Sequence, residues 1–283
     1  MFLGHKNELI GGEWKVLPQF NNTKVLLNSN GQYMLQDNMC PHQGSRIRQG
    51  KGTGLPVCPY HGWSWDSNGN AKGSGTVGHS SGTAVCENTS TLATVQVNEW
   101  CGFLFDKAIP VDLDISANYQ LVEYRQDRIN ASFVPVMDLF LDIDHIPVVH
   151  PKVYDQIDIP NVKDVRWETW DGGSAQIVTS NKALWLALYP GTMFEWQPGA
   201  VFVMVNEPTD NNTTISHVFK YRDMDSSDSA WATNEDVWET AWQQDRAQAE
   251  LLEPGWNSVP EHNLDVEKRA FRSWLRRNRN YNH

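Results

Sequence analysis

Cysteine is scarce in this 283-residue chain: there are four, too few for a disulfide scaffold. Two of them, Cys86 and Cys101, belong to no motif. They are expected to remain buried thiols in a reducing cytoplasm rather than to pair. Long apolar runs are missing as well. Nothing approaches the roughly 20 residues that cross a bilayer. The opening MFLGHKNELIGGEW lacks the apolar core of a signal peptide, so a cytoplasmic location is expected. Basic charge is also in deficit, with 23 Lys+Arg against 34 Asp+Glu and a formal charge of −11. Such a surface repels phosphate, which argues against a nucleic-acid partner. Internal repeats are absent. Low complexity is confined to the Gly/Ser-rich residues 67–82, read as a solvated loop.

Aromatic and apolar residues are plentiful by contrast. With 40% hydrophobic residues and 13 Trp the chain can bury a large core, in one or two domains. Two blocks, Cys40-Pro41-His42 and Cys58-Pro59-Tyr60-His61-Gly62-Trp63, each offer one thiolate and one imidazole. Two Cys and two His can hold a single zinc. They can equally hold a two-iron cluster with both imidazoles on one iron. Zinc modules of the Cys/His type place their Cys together and their His on a helix. Here the order alternates, in Gly/Pro-rich loops that cannot be helical. Pro41 and Pro59 fix the backbone after each Cys, and Gly44 and Gly62 permit tight turns. Trp63 and Trp65 are candidates to wall the site.

The pattern CPHQG…CPYHGW resembles a Rieske [2Fe-2S] site. The resemblance implies Cys40 and Cys58 on one iron and His42 and His61 on the other. Respiratory Rieske proteins carry an extra Cys in each loop; Ser45 and Tyr60 stand there in this chain, so no clamping disulfide can form. That departure points to Rieske ferredoxins and to the oxygenase components of ring-hydroxylating enzymes. A Rieske module needs only about a hundred residues. We expect it over 1–108, ending past Phe103-Leu104-Phe105, with a second domain over 109–283.

The segment from Met137 to Pro151 contains D-x-x-H-x-x-x-x-H. Asp142 and His145 are three apart and would share a helix face. His145 and His150 are five apart, off-face in a regular helix, so a break is expected, with Pro147 as its cause. The segment resembles the iron-binding motif of Rieske non-haem iron oxygenases. By that resemblance His145 and His150 ligate mononuclear Fe(II). Asp142 then hydrogen-bonds toward the cluster His of a neighbouring subunit and belongs to the catalytic machinery. Asp144 is a competing carboxylate one position out of register. The family's Glu-Asn pair ahead of this Asp is replaced by Met137-Asp138.

A facial triad needs one more carboxylate. Asn234 to Leu252 reads as a helix with Asn234 as its N-cap. Its stripe of Trp238, Ala241, Trp242, Ala249 and Leu252 has Asp245 in the middle. A core-facing carboxylate is costly unless paired or metal-bound. The Gln244-Asp245 pair is similar to the family's acidic ligand. Glu239 and Glu250 lie off the stripe, and a buried ion pair with an Arg is the alternative for Asp245.

Strand-like runs at 24–27 and 32–35 frame the first motif; others at 165–170, 183–189, 200–205 and 214–219 suggest a second sheet. Helices at 133–150 and 234–252 would pack against it. The expected fold is α+β, an all-β Rieske domain followed by a helix-grip catalytic domain. Residues 264–277 read as an amphipathic helix whose basic face is either solvated or a docking surface for an acidic electron donor or a neighbouring subunit. The resemblance covers nearly the whole chain, which is short for the family before Cys40. It implies O2 activation with electrons relayed through the cluster, and hydroxylation or oxidative demethylation of a small organic substrate, aromatic ones among the candidates. It implies a reductase or ferredoxin as donor and a ring, most often a homotrimer. Pocket candidates are Asp138, Phe140, Trp185, Tyr189, Phe194, Phe202 and Met204. The rivals are an electron-transfer protein whose second domain has lost iron, and a colourless zinc module.

Overall fold

A computed structural model describes the chain except residues 74–87, 114, 116–117, 152, 154–164, 179–182, 211, 253–254, 256–257 and 279–283, and the side chains at 210 and 261. Cys86 and most of the Gly/Ser-rich segment therefore lie outside the described residues. The chain divides into two compact units, Phe2–Ile109 and Pro110–His283. Among the described residues no helix is long and apolar enough to cross a membrane.

The first unit is built from short strands: β1 (Phe2–His5), β2 (Glu13–Val16), β3 (Lys24–Ser29), β4 (Gln32–Asp37), β5 (Lys51–Thr53), β6 (Ser64–Trp65), β7 (Ala71–Gly73), β8 (Thr94–Gln96), β9 (Asn98–Trp100) and β10 (Phe103–Phe105). They pair as sheets ordered β5-β2-β3-β4-β8 and β1-β10-β9, plus a β6-β7 hairpin. Leu3, Leu9, Leu17, Leu26, Leu35 and Leu104 form one core cluster. Cys40, Cys58, Ile47, Trp63, Trp65 and Leu92 form another, so both thiols sit in apolar packing.

The second unit holds a seven-stranded antiparallel sheet ordered β11-β17-β16-β15-β14-β13-β12. Its strands are β11 (Tyr119–Ile129), β12 (Val165–Trp170), β13 (Gly173–Val178), β14 (Leu184–Leu188), β15 (Thr192–Gln197), β16 (Ala200–Asp210) and β17 (Thr213–Asp223). The strands β13, β14 and β15 are buried along their whole length, whereas edge strand β11 alternates half-buried and exposed between its buried ends. The alternation marks β11 as covered on one face only.

Helices α1 (Phe133–Phe140), α2 (Ile146–Val149), α3 (Asp228–Leu252) and α4 (Val266–Arg277) complete the unit. Two expectations need correction. The 133–150 segment does not run to Pro147 before breaking. It stops at Phe140, and Asp142 caps a separate 3-10 turn, Ile143–His145, by accepting from the Asp144 amide at 3.1 Å. Pro147 opens α2 instead, in the first turn where its missing N–H costs nothing. Asp142 and His145 thus share no helix face. Nor is Asn234 an N-cap. Helix α3 starts at Asp228, and Asn234 lies inside it, buried, donating to the Pro198 and Ala230 carbonyls at 3.1 and 3.0 Å. Leu252 is 38% exposed and leaves the apolar stripe.

Helix α3 is fixed to the sheet in two ways. Trp238 stacks on Phe202 with centroids 4.7 Å apart. Beside it Lys220, buried on β17, meets Glu123, Glu235 and Glu239 at 2.9, 2.8 and 2.5 Å. Arg125 on β11 also grips Glu239. Glu239 is therefore part of an ion network, and Glu250 accepts from Asn130, so neither is near the metal cluster.

Candidate metal centres

In the first unit two loops have the same closure. Cys40 N donates to Ser45 O and Gly44 N to Cys40 O, both at 2.8 Å. Cys58 N donates to Trp63 O at 2.7 Å and Gly62 N to Cys58 O at 2.9 Å. Bridges Met39↔Arg46 and Val57↔Ser64 seal the loop bases. Gly44 and Gly62 take φ of 72° and 74°, a left-handed conformation that a side chain resists. The loops close with the same hydrogen-bond pattern even though the imidazole comes two residues after one Cys and three after the other. Asn38 pins the base of the first, accepting from Arg48 N at 2.8 Å and donating to Arg48 O at 3.0 Å.

The four side chains meet as two pairs, thiol with thiol and imidazole with imidazole. Cys40 and Cys58 are 3% and 1% exposed. Burial pushes the Cys40 thiol above its ordinary range, and the adjoining Cys58 thiol adds to the rise. His42 Nδ1 and His61 Nδ1 face each other at 3.2 Å. Trp63 stacks on His42 with centroids 4.7 Å apart, so it walls the site. Trp65 packs in the same cluster as both thiols, edge-on to Trp63 with centroids 6.4 Å apart, fully buried and with its indole N–H donating to Ser90 O at 2.8 Å. A pair of buried thiols and a pair of facing Nδ1 atoms suit a [2Fe-2S] group, which needs two soft donors on one iron and two imidazoles on the other.

In the second unit His145, His150 and Asp245 come together although a hundred residues separate them in sequence. The donor atoms form a nearly equilateral triangle: His145 Nε2 to His150 Nε2 3.1 Å, His145 Nε2 to Asp245 Oδ1 3.2 Å, His150 Nε2 to Asp245 Oδ1 2.9 Å. Atoms about 2.1 Å from one ion and at right angles lie about 3.0 Å apart, the edge of an octahedral face. The back nitrogens agree with that arrangement. His150 Nδ1 donates to Gln244 Oε1 at 2.7 Å, and His145 Nδ1 donates to the Asp142 carbonyl. With their N–H on Nδ1, both imidazoles turn an Nε2 lone pair inward. Two such lone pairs and a carboxylate 3 Å apart repel unless a cation lies among them. The donors present therefore fit a divalent metal.

The electrostatics follow from the same contacts. Burial alone would depress the His150 pKa, but the hydrogen bond and charge of Asp245 outweigh it and raise it. Burial works to raise Asp245, and the two imidazoles override it, holding the carboxyl below the usual range.

Asp142 sits at the edge of this centre, with its carboxylate held by Lys268 of α4 at 2.6 Å. Asp144 is exposed and is not a member of the cluster. One turn earlier Asp138 is gripped by Arg272, also of α4. Burial pushes the Asp138 carboxyl up against the pull of Arg272. The basic face expected of the terminal helix is thus partly spent inside the unit on Asp142 and Asp138.

The cavity over the triangle is walled by Phe140, Trp185, Met193, Met204, Trp238 and Trp242, with Gln176, Glu195 and Arg246 as further polar lining. Four expected pocket residues are not there. Asp138 faces Arg272, and Tyr189 packs on Phe271 and Trp274. Phe202 lies behind Trp238, and Phe194 points to the opposite sheet face from its neighbours Met193 and Glu195. The contacts of Gln244 with His150 and of Lys268 with Asp142 were not foreseen, although Gln244 stood in the Gln244-Asp245 pair and Lys268 in the basic terminal helix. Glu195 was not singled out; its signal is a lone charge in the buried strand TMFEWQ.

Two family profiles match the chain: "Rieske [2Fe-2S] domain" over residues 1–82 and "Ring hydroxylating alpha subunit (catalytic domain)" over 175–279. Among curated proteins, the carnitine monooxygenase oxygenase subunit of Acinetobacter pittii (strain PHEA-2) is 24% identical over 219 residues, 64% of this chain. The chain spans 57% of the length of that relative. Among solved structures, the quaternary ammonium Rieske monooxygenase CntA superposes with a TM-score of 0.71 at 16% identity, over 100% of this chain and 88% of that one. Naphthalene 1,2-dioxygenase from Rhodococcus sp. gives 0.67 at 13% identity, over 98% and 88%. These two likenesses show the fold.

Proposed function

We propose, from the premise that this chain belongs to the Rieske non-haem iron oxygenase alpha subunits, that it uses O2 to hydroxylate or oxidatively demethylate a small organic substrate. Residues 1–108 hold a [2Fe-2S] cluster through Cys40, His42, Cys58 and His61. Residues 109–283 hold mononuclear Fe(II) through His145, His150 and Asp245. The observation that carries the reading is the 2.9–3.2 Å triangle of two Nε2 atoms and one carboxylate oxygen, with acceptors behind both imidazoles. When bound, the cluster supplies electrons singly, and Fe(II) ligated on one face leaves positions open for O2 beside a substrate.

The chain's own residues do the rest. Gln244 and the Asp142 carbonyl orient the imidazoles. Phe140, Trp185, Trp238 and Trp242 exclude water from the cavity and shape it around an organic molecule. Asp142 joins His145 through its carbonyl and offers its carboxylate to His42 or His61 of a neighbouring copy. The assembly is then a ring of head-to-tail copies, a homotrimer in the commonest form. A reductase, directly or through a ferredoxin, supplies the electrons.

Iron and acid-labile sulfide per chain on anaerobically purified protein test the reading. About three irons to two sulfides supports it. About two to two, not rising after Fe(II) is added, leaves an electron carrier and removes His145, His150 and Asp245 as ligands.

A further inference from the structure

The two hairpins of the first unit carry its Cys and His ligands, and Arg48 lies where their bases meet. It follows Ile47, which packs with Cys40 and Cys58, and is itself buried. Its backbone closes the first hairpin: the N–H donates to Asn38 Oδ1 at 2.8 Å and the carbonyl accepts from Asn38 Nδ2 at 3.0 Å. Its side chain leaves that hairpin for the second. Nη2 donates to the Gly54 carbonyl at 3.1 Å, ahead of the bridge Val57↔Ser64. Nη1 donates to Gln36 Oε1 at 3.0 Å. Gln36, fully buried on β4, passes its own amide N–H to Ser67 O at 3.4 Å and to Thr94 Oγ1 at 3.0 Å. Ser67 lies just past β6, on the other side of the second hairpin. One residue therefore holds both sides of the first hairpin by its backbone, and both sides of the second by its guanidinium, directly or through Gln36.

No covalent bond joins the hairpins, since Cys40 and Cys58 are their only cysteines and both are free. The charge of Arg48 is not neutralised either. Among the described residues no carboxylate pairs with it. Its side chain meets two neutral oxygens and the face of Trp14, whose ring centre is 5.0 Å from the guanidinium carbon. Trp14 is held across its register partner Gly52, where a Cβ would lie 2.8 Å from the ring. Burial pushes the Arg48 pKa down to about 10, which leaves the group charged at neutral pH. A buried cation without a counter-ion is costly, and an apolar side chain would fill the same space without that cost. Neither an apolar side chain nor a lysine can span the gap, because only the planar fork aims two donors at two separate oxygens. A cluster that takes up an electron gains negative charge, and a fixed cation in the same small unit favours that state.

We propose that Arg48 is a positioning residue for the cluster: its guanidinium ties the bases of the two ligand hairpins together, and its unpaired charge favours the reduced cluster. The proposal rests on the [2Fe-2S] reading of Cys40, His42, Cys58 and His61 and is independent of the reaction at the second centre.

The test uses protein purified anaerobically with its cluster. Two quantities are read: the midpoint potential, by spectroelectrochemical titration, and the rate at which the visible absorption is lost to an excess of chelator. In Arg48→Met the equilibrium constant for taking up one electron should fall at least threefold, about 28 mV at roughly 59 mV per tenfold. Its cluster should be lost at least about fivefold faster than that of the wild type. Arg48→Lys keeps the charge without the fork. It should hold the wild-type potential and yet lose the cluster as fast as Arg48→Met, which separates charge from loosening. Gln36→Leu leaves the charge and the Gly54 bond but releases Ser67, so its rate should fall between wild type and Arg48→Met. Should Arg48→Met give no loaded protein, Arg48→Gln takes its place. An unchanged potential in the neutral variant, or cluster loss in Arg48→Lys no faster than in wild type, would overturn the proposal. About two sulfides per chain with neither quantity changed retains the cluster and removes the role of Arg48. Protein without acid-labile sulfide removes the cluster reading and the proposal with it.

Discussion

Gln244→Leu offers the sharpest test of the second centre. Gln244 touches no metal in this scheme. It accepts from His150 Nδ1 at 2.7 Å, and His150 is 2% exposed, so water cannot replace the lost acceptor. An orphaned buried N–H costs about 1–3 kcal/mol. The imidazole can escape that cost by moving its proton to Nε2, which destroys the metal-facing lone pair. Either way Fe(II) affinity should fall roughly 10–100-fold, the range seen when a partner behind a ligating His is removed. The measurement is anaerobic titration of apo-protein with Fe(II), read by calorimetry, with the cluster absorption as an internal control that should not change. Gln244→Glu, which restores a stronger acceptor, should bind at least as tightly as the wild type. If Gln244→Leu binds Fe(II) within a factor of two of wild type, the inward-facing lone-pair argument is wrong.

Three further outcomes follow from the geometry. Asp142→Asn should keep both metal contents and greatly slow substrate-dependent O2 consumption; unchanged product formation removes Asp142 from the electron path. Arg272→Met leaves the Asp138 carboxylate buried without its cation and should cost roughly 3–5 kcal/mol in urea unfolding. Because burial already raises the Asp138 pKa, the folded variant prefers the protonated acid. Its deficit should be largest at neutral pH and shrink as pH falls toward the ordinary carboxyl range. Glu239 behaves oppositely: burial acts to raise its pKa, but Arg125 and Lys220 outweigh it and hold the carboxyl below 4.5. Its contribution is present above the unfolded value and is lost as pH falls through the folded one. Glu239→Gln should flatten that acid limb of the stability curve, and an unchanged limb would rule the network out as its source.

Much of this was legible in the chain. The alternating Cys-His blocks, the two His of the second motif and the mid-stripe Asp245 were read from spacing and resemblance, because ligands cluster in short motifs or break a hydrophobic pattern. Strands β3, β4, β12, β14, β16 and β17 were readable as apolar or alternating runs. Strand β11 was not, because its half-buried face carries Glu123, Arg125 and Asp127 while Val122 and Tyr124 lie on its exposed face, which inverts the pattern. The break at Asp142 was misplaced to Pro147, since proline at the start of a helix and proline that ends one look alike in sequence. Lys268 and Arg272 looked like surface charge. Their partners lie more than a hundred residues away on a helix whose facing was unknown.

The ladder formed by those two pairs also bears on biogenesis. Asp138 meets Arg272 and Asp142 meets Lys268, so α4 runs antiparallel to the segment it clasps, and a slip of one turn would strand one acid and one base. The cluster motif is complete once His61 has been synthesised, whereas the other centre must wait for Asp245 and then for Lys268 to lock Asp142. At about 5–20 residues per second, that interval is on the order of ten seconds or more. During it a nascent chain carries all four Cys and His of the first unit's motifs, while His145 and His150 lack Asp245 and the clasp. The order of the residues along the polypeptide thus completes one donor set well before the other.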